Sequence, residues 1–319
     1  MTVSLVTRLR PRGVIAAAAL VLLLAGPAQA QVLPYEISVA EVEAGRVRHL
    51  AQRLSKQNLL YQLHLGVARK SDLVETAARI DRVLETLEQG SPGYAVPAPW
   101  TRELREQVSR LDQTWGALRK IAVASPYDYL LVTRQFMPRP DMRGDPLLVR
   151  YFDSLSLDVI TESEKLMALY DKECRAASSG PGLVLCQTAT ISGYTAMLSE
   201  RAVNEAVYVV AGLDAGRNRA KLKKTLTEML AQQKSNDESP FFKAALSPER
   251  GKAGKFAAEL LAGLREDGDI LNTEFAILGA GDERNFDLSR LLLTQERMIT
   301  KVERLTALLL RYANIAYGS

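Results

Sequence analysis

Leu104, Val108, Leu111, Trp115, Leu118 and Ala122 step along the chain by four, three, four, three and four residues. That spacing places all six on one face of an α-helix and none in register on a strand. Thr101 stands where the N-cap of such a helix belongs. Val47, Leu50, Leu54, Tyr61 and Leu65 keep the rhythm nearer the start, and Leu291, Met298, Val302, Leu305 and Leu309 keep it near the end. Alternating strand patterns are scarce. The best, Leu183-Val184-Leu185, is too short to build a sheet. The expectation is therefore an all-α fold, which the abundance of Ala and Leu favours.

Breakers divide the helices. Gly90 to Gly93 with Pro97 and Pro99, Ser125-Pro126, and Pro138 to Pro146 read as loops, as do Ser178 to Gly182, Ser235 to Pro240, and Gly279 to Gly281. The two halves also resemble each other. Ala44-Gly45-Arg46-Val47-Arg48-His49-Leu50-Ala51-Gln52-Arg53 aligns with Ser192-Gly193-Tyr194-Thr195-Ala196-Met197-Leu198-Ser199-Glu200-Arg201 at an offset of 148. Ile160-Thr161, Glu164 and Leu166 align with Ile299-Thr300, Glu303 and Leu305 at an offset of 139. Two anchors in the same order point to duplication. The nine extra residues of the first copy are expected near Tyr127 to Gly144. The predicted architecture is two tandem antiparallel four-helix-bundle units, over 36–175 and 189–313.

Residues 1–30 read as a signal peptide. Arg8, Arg10 and Arg12 precede an apolar run from Val14 to Ala25, and Ala28-Gln29-Ala30 is a small-x-small cleavage site. The expected mature protein is periplasmic. Without the leader's three arginines the net charge falls from +4 to +1, which implies no affinity for nucleic acid. Cys174 and Cys186 are the only cysteines. In an oxidising compartment they are expected to form one structural disulfide. Two histidines, His49 and His64, fifteen positions apart and with no cysteine nearby, make no metal site. No haem, nucleotide or hydrolase motif occurs, so neither a cofactor nor an enzyme is expected. Glu162 and Glu164 read as a solvated helix face, as do Lys221, Lys223 and Lys224.

The first box, Ala44-Gly45-Arg46-x-Arg48-x-Leu50-x-Gln52-Arg53, resembles the Ala-Gly-Arg-Gln-Arg-Met-Leu-Ser-Gln-Arg box of the PilJ-type domain, the N-terminal sensor domain of type IV pili methyl-accepting chemotaxis transducers. It is similar too to the periplasmic sensor domain of NarX-type nitrate-sensing kinases. The resemblance implies a helical bundle that binds a small ligand near the box. In the nitrate sensors a box arginine grips the anion between two symmetry-related helices. Carried onto this sequence, that role falls to Arg48, with Gly45 allowing close approach of the facing helix and Gln52 one turn away as a further donor. A planar guanidinium that donates in a fork suits nitrate or nitrite. The plain alternative is a surface Arg48 contacting Gln52.

The second copy departs from the pattern, with Ala196 where Arg48 would be and Tyr194 where Arg46 would be. A pseudo-dimer of the copies would carry one arginine. Arg53 and Arg201 occur in both copies and are expected to make a structural salt bridge or a helix-end contact. The chain ends at Ser319 with no kinase or relay, so the expected partner is a membrane-bound signalling or pilus protein; a homo-oligomer is left open. A second reading is an interaction protein that docks a pilus or envelope complex. Its candidate surface interleaves Tyr127, Tyr129, Phe136 and Met137 with Arg134, Arg139 and Arg143.

Overall fold

In a computed structural model, residues 32–65, 69–123, 146–179, 182–239, 243–244, 247, 251–282 and 284–317 are described. Residues 33–319 form one compact unit. The leader and the aromatic-arginine segment from Tyr127 to Arg143 lie outside the described residues.

Eight α-helices are described: α1 (Pro34–Gln62), α2 (Lys70–Gln89), α3 (Arg102–Val123), α4 (Pro146–Ala177), α5 (Leu183–Val210), α6 (Ala215–Glu238), α7 (Gly251–Gly279) and α8 (Leu288–Tyr317). Among the described residues there is no strand, only an isolated bridge between Ser91 and Val96. None of the described helices is long and apolar enough to cross a membrane. The Leu104-to-Ala122 seam forms the buried face of α3. The amide of Leu104 donates to Thr101 Oγ1 at 3.1 Å, so Thr101 satisfies one of the free amides at the start of α3.

Leu183-Val184-Leu185, too short to build a sheet, opens α5, with Leu185 and Cys186 buried. One expectation about local structure fails. Ser235 to Glu238 does not break the chain; α6 continues to Glu238, where its polar side chains are solvated on an outer helix.

In the first half, α1 packs on α2, α2 on α3, α3 on α4, and α4 back on α1, a closed antiparallel ring. Trp115, Tyr170 and Phe152 fill its interior. In the second half, α5 packs on α6 and α8, and α7 on α8. There α6 and α7 stand apart, and an apolar cavity of about 340 Å³ remains, lined by Leu198, Leu264, Met298 and Leu309 among others. One core joins the halves: Leu59 and Leu60 of α1 cluster with Val203 and Val207 of α5, Phe275 of α7 and Met298 of α8. Burial at that seam comes from both halves, so neither half covers its own apolar surface alone.

Cys174 and Cys186 are joined, with Cα atoms 5.8 Å apart, and tie the end of α4 to the start of α5. A loop of 12 residues closed this way contributes roughly 3 kcal/mol through restriction of the unfolded chain. Cys174→Ser with Cys186→Ser is expected to lower the urea midpoint by a corresponding amount, with the helical circular dichroism retained. Gly116, inside α3, is a second test of local energetics. A Cβ there meets nothing within 4 Å. Gly116→Ala is therefore expected to stabilise by about 0.5–1 kcal/mol in thermal unfolding, through helix propensity alone.

Candidate functional site

Helix α1 is buried on nearly every side. It packs against α2, α4 and α5, and reaches α8. Ten of its buried residues are polar or charged: Ser38, Glu41, Arg48, His49, Gln52, Arg53, Ser55, Lys56, Asn58 and Gln62. On an outer helix such groups would be hydrated. Here each must find a partner inside the protein or remain unsatisfied.

The facing helix is α5. Thr190 Oγ1 donates to Glu41 Oε1 at 2.6 Å. Arg53 Nε donates to Glu200 Oε1 at 3.0 Å. Asn204 Nδ2 donates to Ser55 Oγ at 3.4 Å. Partner numbers rise together along both helices, so α1 and α5 run parallel. The paired residues are 149, 147 and 149 positions apart, close to the 148 that relates the two boxes. The two box helices lie side by side and nearly in register.

Glu41, Gly45, Arg48 and Gln52 are spaced by four, three and four and share one face of α1. Gly45 is buried there, between the residues that reach Thr190 and Tyr194. Arg48 is only 5 % exposed, so it is no surface arginine. Its Nη1 lies 3.4 Å from Glu164 Oε1 of α4, and its guanidinium carbon lies 5.7 Å from the centre of the Tyr194 ring on α5. An aromatic face thus meets the guanidinium where the second box lacks an arginine. Nε and Nη2 of Arg48 are enclosed and meet no hydrogen-bonding partner among the described residues. Burial lowers the guanidinium pKa, and Glu164 opposes that shift. Glu164 is solvated, as its helix face implied, with its side chain 51 % exposed, and it also reaches Arg48.

Gln52 does not meet Arg48's partners. It lines a separate polar pocket with Asp153 of α4, Arg201, Asn204 and Glu205 of α5, and Lys221 of α6. Lys221, Lys223 and Lys224 are exposed on α6.

One turn beyond Arg48 the charges are paired. Lys56 Nζ lies 2.8 Å from Glu200 Oε2 and donates to Gln295 Oε1 at 2.6 Å. Arg53 bridges Glu200 and Glu296, the latter at 2.6 Å. Burial alone would raise the Glu200 carboxyl, yet Lys56 and Arg53 hold it at about 2. The second-copy counterpart, Arg201, bonds Thr225 and Glu228 of α6. Both arginines are thus structural partners of carboxylates. At the other end of the face, burial pushes Glu41 up to about 8, against the Thr190 hydrogen bond. Burial also pushes His49 down to about 3, so its imidazole is neutral. His64 lies past the end of α1. Among the described residues no three His, Cys, Asp or Glu side chains are placed to hold a metal.

Reading one helix at a time misses Glu200, Lys56, Glu296 and Glu164. For Glu200 a signal existed: it stands opposite Gln52 in the box alignment, an acid placed beside the arginine that both copies carry.

Residues 42–134 match the PilJ family, "Type IV pili methyl-accepting chemotaxis transducer N-term". The matching stretch contains the whole of the first box, with Gly45, Arg48 and Gln52, and helices α2 and α3. The second box, 192–201, lies outside the PilJ match. No curated protein and no solved structure matches the chain.

Proposed function

We propose that the protein is a non-catalytic sensor-type module that binds a small monovalent anion at Arg48, with nitrate or nitrite the first candidates. The observation that carries this reading is the pair of enclosed guanidinium nitrogens without partners. A buried arginine with two unused donors is costly as it stands. A planar oxyanion would accept from both in a fork. Tyr194 supplies a flat wall, and the one carboxylate on Arg48, Glu164, is half exposed and reaches only Nη1. The PilJ match supports the sensory class.

The α1/α5 geometry supports a duplicated unit in which α5 stands where a second protomer's helix would. Such a fusion binds one anion asymmetrically, with one arginine. An anion that takes up Nε and Nη2 brings a second negative charge to the guanidinium whose Nη1 meets Glu164. Occupancy is thereby coupled to the packing of α1 on α4 and α5, since a ligand shifts an equilibrium only through differential contacts. The signal then passes to a membrane-bound partner in the periplasm.

Calorimetric titration with nitrate, nitrite, chloride and sulfate tests this. Wild type is expected to bind nitrate or nitrite saturably. Arg48→Ala is expected to lose at least tenfold in affinity, since hydrogen bonds to a charged group are worth about 1.5–3 kcal/mol. Equal affinity in the variant would refute the assignment.

A further inference from the structure

The pocket that Gln52 lines is separate from the Arg48 site, because Arg48 does not form part of its wall. It has a volume of about 290 Å³ and lies between α1, α4, α5 and the start of α6. Its lining carries both signs of charge. Asn204 and Glu205 are more than nine-tenths buried. Asn204 Oδ1 and Glu205 Oε2 meet no hydrogen-bonding partner among the described residues. Asp153 adds a third carboxyl or amide acceptor group to the same wall, already accepting from Ser55 Oγ at 2.6 Å. Arg217 and Lys221 are exposed, one turn apart on α6, and form no ion pair among the described residues, whereas the other two cations of the lining, Arg150 and Arg201, are paired with Asp214 and Glu228.

We infer that this pocket binds a small zwitterion of the free amino acid class, its ammonium toward Asn204 and Glu205 and its carboxylate toward Arg217 and Lys221. Enclosed acceptors without donors call for a ligand that brings N–H groups. A simple anion would face Glu205 and Asp153. A simple cation would face Arg217 and Lys221. A molecule with both charges, separated by a few bonds, answers both the buried acceptors and the unpaired cations, and the volume suits a single small solute. Burial raises the Glu205 carboxyl above its ordinary range, with Thr225, Arg201 and Lys221 opposing, and an ammonium beside it would favour its charged form further. Gln52 and Asn204 supply neutral amides that fix orientation.

The test is calorimetric titration of the full chain with the proteinogenic amino acids one by one, with succinate and glucose as single-charge-type and neutral comparators. The expected result is saturable binding of at least one amino acid and none of succinate or glucose. Asn204→Leu keeps the size of the side chain, removes the unpaired acceptor, and is expected to weaken that binding at least tenfold. The exposed pair Arg217→Glu with Lys221→Glu, which leaves the buried wall intact, is expected to do the same while the melting transition stays cooperative. Arg48→Ala is expected to leave amino acid binding unchanged, so the two sites fail separately. The inference is overturned if no amino acid binds the folded wild type, if succinate or glucose binds in its place, or if the Arg217→Glu, Lys221→Glu protein binds as wild type does.

Discussion

Glu200→Leu is expected to destabilise the protein by about 3–5 kcal/mol, among the largest losses for a single substitution here. Glu200 is fully buried and is held by Lys56 at 2.8 Å and Arg53 at 3.0 Å. Both cations are themselves buried. Removing the carboxylate leaves them with Glu296, which is half exposed, and the Gln295 amide. Two nearly dry cations then lack a counter-charge of equal burial. Glu296→Gln, by contrast, is expected to cost less than about 1 kcal/mol, because water already screens that carboxylate. Urea unfolding of both variants checks the pair. A Glu200→Leu loss no larger than that of Glu296→Gln would mean that the cluster is not the buried ionic knot described. The same group sets an acid limit. Its folded pKa of about 2 lies below its ordinary value of 4.5, so its contribution is complete above 4.5 and disappears as pH falls toward 2.

Glu41→Gln is expected to act in the opposite sense and to stabilise the protein at pH 8. Burial keeps the folded carboxyl protonated up to about 8, whereas the unfolded chain releases that proton near 4.5. Between those values the unfolded state binds fewer protons, so wild-type stability falls as pH rises and levels off above 8. The full window corresponds to about 5 kcal/mol as an upper value. Glutamine keeps an acceptor for Thr190 and has no proton to lose. The difference in unfolding free energy between variant and wild type should therefore grow from pH 4.5 to pH 8. His49 titrates in both proteins and drops out of that difference. A difference independent of pH would show that Glu41 is not the dry carboxyl described here.

The all-α fold was legible because apolar periodicity reports directly on which face of a helix is covered. The seam of α3 and the cap at Thr101 needed nothing beyond local spacing. The ends of helices were less so: the Ser235-Asn236-Asp237 cluster looks like a loop, yet short polar side chains are tolerated on the solvated face of α6. The site was legible only in part. Periodicity sees one buried stripe, and α1 is buried on several. Arg48, Arg53 and Lys56 look like a solvated face until α4, α5 and α8 are brought against them. The Arg48 position came from the box pattern, whereas its partners, Glu164 from α4 and Tyr194 from α5, are far away in sequence, and no local rule connects them. Gln52 stands one turn from Arg48 in sequence but opens into a different pocket, lined by residues of α4, α5 and α6.

The central claim is that Arg48 presents unused donors to a small monovalent anion between α1 and α5. Crystals of the protein grown with bromide would test it most directly, since anomalous scattering locates that ion without ambiguity. The account predicts a bromide peak within about 3.5 Å of Arg48 Nε or Nη2, beside the Tyr194 ring, at a distance typical of a charged donor and its acceptor. Ordered bromide elsewhere, with both nitrogens still enclosed and empty-handed, would contradict it.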